Sequence, residues 1–298
     1  MVKGYSKKEY CKNTVYELLE KEIQNISGSK SYKINETMKN NGVKYTALCK
    51  MASGVNPVYY IDSYVDDILD FKTDVTTAAK EILEKYEKAY DDAPKKADFM
   101  NKEYIKEHIV LRLINREMND LSDIPYKEYL DLAVIMVVKV ENVVNGEGTF
   151  KVTNSLIDTF GFTEEELFEL AEQNTLKNEY VFEDITNVVN RILNPDEKEV
   201  MLSKESDMVV ATTTNNINGA IVMTRPDKLA DIAEVLDSDL YVLPSSVHEV
   251  LLVKQELIGS DEARNMVVDV NKTSVEKNEW LSNNVYRFSR NTKTITIA

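Results

Sequence analysis

The chain reads as a mixed α+β protein: two lobes, each a mostly antiparallel sheet flanked by helices. Three observations predict this. Apolar residues recur at helical spacing in some stretches and as short β-branched runs in others. Turn residues such as "NNG" and "NGEG" separate strand-length runs, the signature of hairpins rather than crossovers. At 298 residues with 43% hydrophobic content, the chain has enough length and apolar surface for a substantial core.

The elements follow in order. A helix is predicted from Ser6 to Ile26, with Cys11, Val15, Leu18, Leu19 and Ile26 at helical spacing and Gly28 to end it. "SYKINETMK", "VKYTALCKM" and "PVYYID" read as strands, the first two joined through Asn40, Asn41 and Gly42. "SYVDDILDF" predicts a short helix with Val65, Ile68 and Leu69 inward and Asp62 or Ser63 as its cap. A longer helix is capped by Asp74 and buries Val75, Ala78, Ala79, Ile82, Leu83 and Tyr86. "HIVLRLINRE" and "EYLDLAVIMVVKVE" are continuous and apolar, as central strands are. "TFKVTN" is a further strand.

In "GFTEEELFELAEQN", Thr163 and Glu166 make a capping box before a helix. "FEDITNVVNRIL" predicts another, stopped by Asn194-Pro195. "MVVATTT" and "AIVMTR" read as strands around the turn "NNING". Pro226 opens a helix with Leu229, Ile232, Ala233 and Leu236 inward. "LYVL" and "EVLLV" are strands, "SDEARNMVVDVNKT" is a helix, and "NVYRFSR" and "KTITIA" close the chain as strands. The expected lobes span 1–155 and 156–298.

The formal charge is −15, from 36 basic and 51 acidic residues. Such a field repels nucleic acid and anionic membrane surfaces. Residues 163–207 concentrate it, with 13 Asp/Glu against 4 Lys/Arg. This stretch predicts solvated helix faces, or an acidic docking surface for a basic protein partner on Glu164, Glu165, Glu169 and Glu172. No run reaches the roughly 20 apolar residues of a membrane helix. The basic start "MVKGYSKKEYCKN" lacks the apolar core of a secretory signal. Cys11 and Cys49 are expected as buried thiols, which with these features points to a cytoplasmic protein.

Motifs that carry chemistry are few. There is no phosphate-binding glycine loop, no H-E-x-x-H and no paired C-x-x-C, so no cofactor and no metal are expected. Asp62, Asp66 and Asp70 share a helix stripe, but on the water side of a helix whose apolar face is already defined. "DLYVLPSSVHEVLLV" carries Ser245, Ser246, His248 and Glu249 between two strands. It reads as a hairpin connection, or as a tip that grips a ligand or partner. An extended 246–250 would put Ser246 and His248 on one face and Glu249 on the other, so these neighbours cannot form a triad alone. In "NVYRFSR", alternation puts Tyr286 and Phe288 on one face and Arg287 on the other, which reads as a half-buried strand or a place for an anionic ligand or acidic segment. No catalytic residue is assigned.

Across most of its length the chain resembles the domain-of-unknown-function 5688 family. The phrases "MKNNGVKYTAL", "PVYYIDSYVDD", "IVLRLINRE", "IPYKEYLDLAVI", "TEEELFELAEQNT", "SDLYVLPSSVHEVLLV" and "NVYRFSR" carry the likeness in order. The resemblance implies a cytoplasmic accessory α/β protein of Firmicutes, of the kind found in clostridial gut bacteria and often on mobile elements. It brings no activity and no catalytic residue. Three functions are therefore expected in order: a non-enzymatic binding or regulatory protein engaging a partner through acidic helices; an anti-defence DNA mimic (anti-CRISPR or anti-restriction); and a hydrolase or nuclease built on His248.

Overall fold

The computed structural model describes residues 7–51, 58–92, 96–140, 148–194, 199–244 and 246–298. Helices and mostly antiparallel sheets are combined as an α+β protein. The chain divides into two compact units. The smaller takes the described residues of Met1–Lys39, Val43–Asn101 and Val140–Gly148, and the larger takes those of Asn40–Gly42, Lys102–Lys139 and Thr149–Ala298.

In the smaller unit, helix α1 (Lys7–Ser27) leads into strands β1 (Tyr32–Met38), β2 (Lys44–Lys50) and β3 (Tyr59–Tyr60). These form one antiparallel sheet in the order β1-β2-β3. Helices α2 (Asp62–Leu69), α3 (Val75–Asp92) and α4 (Lys96–Phe99) follow. Val15, Leu19 and Ile23 of α1 pack with Leu48, Ile61, Val65, Ala78, Ala79, Ile82 and Tyr86. The inward face of α1 is therefore centred on Leu19 and Ile23, while Leu18 and Ile26 are exposed. Gly28 ends the helix at φ 66°, the left-handed conformation that favours glycine. Asp74 caps α3 through the amide of Thr77. Asp62 is not a cap: it is the first residue of α2, and its carboxylate accepts the Thr46 amide at 2.8 Å and the Tyr16 hydroxyl at 2.7 Å.

The larger unit begins its regular structure with α5 (Lys102–His108), then β4 (Ile109–Asn115), β5 (Tyr126–Tyr129), β6 (Leu132–Val140) and β7 (Gly148–Lys151). The run expected as one long strand is thus a hairpin, β5 and β6 turning at Leu130-Asp131. His108 ends a helix, its ring stacked on Tyr104 at 3.8 Å, rather than opening a strand. Strand β6 pairs with β4, β5 and β7 and is buried on both faces. One face meets α5, α6 (Asn154–Phe160) and α7 (Glu164–Leu176) through Ile105, Ile157, Leu167, Phe168 and Ala171.

A six-stranded antiparallel sheet follows. Its strands are β8 (Tyr180–Asp184), β9 (Met208–Thr213), β10 (Leu240–Leu243), β11 (Glu249–Lys254), β12 (Tyr286–Ser289) and β13 (Thr294–Ile297). Their order is β13-β12-β10-β11-β9-β8. Helices α8 (Ile185–Leu193), α9 (Pro226–Leu236) and α10 (Ser260–Thr273) accompany it. One face buries Val209, Ala211, Val242, Leu252, Tyr286 and Phe288 against α9; the other meets Ala263 and Val267 of α10.

Two readings change here. "FED" belongs to β8, and α8 starts only at Ile185, capped by the Asp184 carboxylate on the Thr186 amide. "AIVMTR" is not a strand: Gly219–Thr224 is a buried 3₁₀ turn. Its apolar residues are enclosed on every side, so their pattern lacks the alternation that distinguishes a strand. Cys11 and Cys49 are free and half-buried. Among the described residues no helix is long and apolar enough to cross a membrane.

Candidate functional site

The segment Ser246–Glu249 joins β10 to β11, as expected of a hairpin connection, but it is bent rather than extended and Glu249 alone lies in the strand. Ser245 lies outside the described residues. Ser246 is buried, and its Oγ accepts the backbone N–H of His248 at 3.0 Å. The His248 carbonyl accepts two donors, Thr212 Oγ1 at 2.8 Å and the Gly219 amide at 2.9 Å. The Val247 amide donates to the Glu279 carbonyl at 2.9 Å, and the Ala220 amide donates to the Val247 carbonyl at 3.3 Å. The backbone here is held from three sides.

The imidazole is equally committed. Nδ1 accepts the Asn218 amide at 3.3 Å, which assigns the ring proton to Nε2. Nε2 in turn lies 3.6 Å from Oε1 of Glu279. Burial lowers the His248 pKa, and Arg112 adds to this while Glu279 opposes it. Burial, with the nearby Glu279, raises the Glu249 pKa. A general base needs a ring lone pair free for the incoming proton. In this neutral imidazole one nitrogen is occupied and the other carries a proton facing a carboxylate. The arrangement suits a clip between loops better than a base.

The second cluster is acidic. Thr163 Oγ1 caps α7 by accepting the Glu166 amide at 3.1 Å. Glu164, Glu165, Glu169 and Glu172 are all exposed, and none forms an ion pair among the described residues. Glu165, Glu169 and Glu172 are spaced four and three residues apart, so they form one stripe. The helix itself is fixed. Asn174 Nδ2 donates to the carbonyls of Lys106 and Ile109, each at 2.9 Å, and Thr175 Oγ1 accepts the Leu111 amide at 2.8 Å.

The stripe runs to a groove of about 260 Å³. Leu111, Tyr129, Val134, Phe168 and Leu176 supply its apolar lining, with Glu172 at its edge. Lys127 and Arg225 also border it. Lys127 Nζ sits 4.6 Å from the Phe168 ring centre, and Arg225 is held bidentately by Asp227 at 2.9 and 2.6 Å. Pairing of this kind holds the Asp227 carboxyl below its ordinary value.

Tyr286 and Arg287 lie on opposite faces of β12, as alternation predicts. Tyr286 is fully buried and donates to Asp131 at 2.8 Å, with Ser282 Oγ at 2.8 Å and Asn284 Nδ2 at 2.9 Å on the same carboxylate. It is therefore part of a structural network. Arg287 is exposed, 3.8 Å from Asp239.

The structure thus brings Ser246, His248 and Glu249 together with a residue the sequence did not suggest, Glu279, because only the fold makes it a neighbour. The groove was missed for the same reason: no single segment contains it.

No curated protein and no solved structure matches the chain. The profile of the Family of unknown function (DUF5688) matches residues 8–290, almost the whole length. The chain belongs to that family.

Proposed function

We propose that the chain is a non-enzymatic binding protein, in which α7 receives a basic segment of a protein partner and the adjoining groove takes an apolar side chain of that segment. One observation carries this reading: a stripe of carboxylates without ion pairs among the described residues, on a rigidly anchored helix, leads into an apolar groove. Glutamates at 164 and 165 also favour the positive end of the helix dipole, but that effect fades within the first turn. Glu169 and Glu172 lie beyond it, so helix stability does not explain them. An amphipathic basic segment meets both the stripe and the groove. The free cysteines suit a reducing, cytoplasmic setting. The closed hydrogen bonding of His248 weighs against hydrolysis.

The test is fluorescence anisotropy with a labelled peptide of about a dozen residues, rich in Lys and Arg around one central Leu. Saturable binding is expected, weakening as salt rises. Glu165→Lys, Glu169→Lys and Glu172→Lys together abolish it, and Leu176→Asp weakens it; Leu176 is 53% exposed, so the fold tolerates the change. The same reversal at the exposed Asp261 and Glu262 leaves binding unchanged. Equal loss at the two sites would refute α7 as the docking surface.

A further inference from the structure

The turn after α2 places an aromatic ring where neither folding nor packing calls for one. Helix α2 ends in a Schellman motif. The Phe71 amide donates to the Ile68 carbonyl at 3.1 Å and the Lys72 amide to the Asp67 carbonyl at 2.9 Å. Phe71 occupies the left-handed position of this motif at φ 59°. Glycine is the usual residue there, because a Cβ is crowded in that conformation.

Other left-handed residues of the chain show how unusual this is. Gly28, Gly42 and Gly161 have no Cβ, and Asn41, Asn216, Asn218 and Asp237 carry the short polar side chains that tolerate the conformation. Lys293 is hydrophilic and exposed. Leu130 is bulky and strained, yet it packs against the core of the larger unit, so burial offsets its strain. Phe71 has no such return. It is 96% exposed. The position combines backbone strain with an unburied ring, and outliers of this kind cluster at functional sites.

The surroundings define what the ring fits. Asp67 and Asp70 flank it, both substantially exposed, with Lys72 3.1 and 3.2 Å from their carboxylates. Between residues 66 and 74 there are four aspartates and one lysine, and Lys12 of α1 adds a second cation 2.6 Å from Asp66, which leaves the tip acidic on balance. An anionic membrane repels such a tip, and a second copy of a chain carrying a charge of −15 is a poor partner for it. We propose that Phe71 is an anchor residue for a protein partner, which presents an apolar pocket rimmed by lysine or arginine. The ring fills the pocket, and Asp67 and Asp70 meet the cationic rim. This proposal rests on the smaller unit alone and is independent of the α7 surface.

The test places p-benzoylphenylalanine at position 71 of the full chain, expressed in its native host, and irradiates the cells. Met201, 85% exposed, takes the same probe as control. The expected result is a discrete protein adduct at position 71, about tenfold above the control, falling to the control level when Asp67→Lys and Asp70→Lys are combined. The captured peptide carries apolar residues bordered by Lys or Arg. Circular dichroism confirms that each variant is folded, and Asp67→Asn with Asp70→Asn replaces the lysine pair if that pair disturbs α2. No adduct, equal yield at both positions, an adduct indifferent to the aspartates, or capture of lipid or of another copy of the chain overturns the proposal.

Discussion

Alanine at position 219 would carry its Cβ to 2.3 Å from the His248 carbonyl oxygen, 2.5 Å from Thr212 Oγ1 and 2.6 Å from Thr212 Cα. Two of these three atoms are backbone, so no side-chain rotation relieves the contact. Either the 3₁₀ turn or the β9–β11 pair must move. Overpacking of this kind costs roughly 1–3 kcal/mol. The same displacement stretches the bonds that Gly219 and Thr212 make to the His248 carbonyl, each contributing about 0.5–1.5 kcal/mol net. The expected loss for Gly219→Ala is therefore about 2–6 kcal/mol, depending on how far the two bonds stretch, and lies above an ordinary substitution. Urea unfolding followed by fluorescence measures it. The chain has a single tryptophan, Trp280, next to Glu279, so the signal reports this unit. A midpoint shift at constant slope gives the free-energy change directly. A shift worth less than about 1 kcal/mol would refute the argument that this glycine is there for close approach.

Four further outcomes are expected. Phe71→Gly raises stability by about 0.5–1 kcal/mol, because relief of the left-handed strain exceeds the entropy added to the unfolded chain; calorimetry that finds a loss contradicts the strain assignment. Asp131→Ala strands the donors of Ser282, Asn284 and Tyr286 and costs about 2–4 kcal/mol, and Tyr286→Phe costs little more in that background, which a double-mutant cycle reads. Glu249 has a raised folded pKa, so the folded state holds its proton more tightly than the unfolded state does; stability then falls as pH rises from the ordinary value of 4.5 through the raised one, and Glu249→Gln flattens that slope in a pH series of melts. His248 has a lowered folded pKa, so its contribution is lost as pH falls from 6.5 through the lowered value; His248→Gln removes that part of the acid sensitivity, and an unchanged profile contradicts the buried-ring assignment.

Local pattern revealed most elements whose cause is local. The helix ended by Gly28, the β1–β2 pair around Asn40–Gly42, the Asp74 and Thr163 caps and the helix opened by Pro226 each depend on residues within a few positions. The failures share a different cause. Gly219–Thr224 forms a 3₁₀ turn because its first amides bond to carbonyls of residues 247 and 248, which no window around 219 contains. Asp184 ends a strand and caps a helix at once, so a single apolar pattern ran across both. At the candidate sites, the exposed glutamates of α7 follow from helical period, whereas Glu279 beside His248 and Lys127 over the Phe168 ring are products of tertiary contact. Alternation separates Tyr286 from Arg287, but the burial of Tyr286 and its bond to Asp131 depend on a residue 155 positions away.

The order β13-β12-β10-β11-β9-β8 has a consequence for synthesis. Strand β10 gains its second neighbour only when residues 286–288 have been made, and the Asp131 carboxylate waits for residues 282–286 to supply its three donors. A ribosome adding roughly 5–20 residues per second leaves that strand edge open for several seconds. Nascent chains of this protein therefore carry an unsatisfied backbone row late into translation, and a stall before residue 286 exposes it to chaperones or to pairing with a neighbour on the same message.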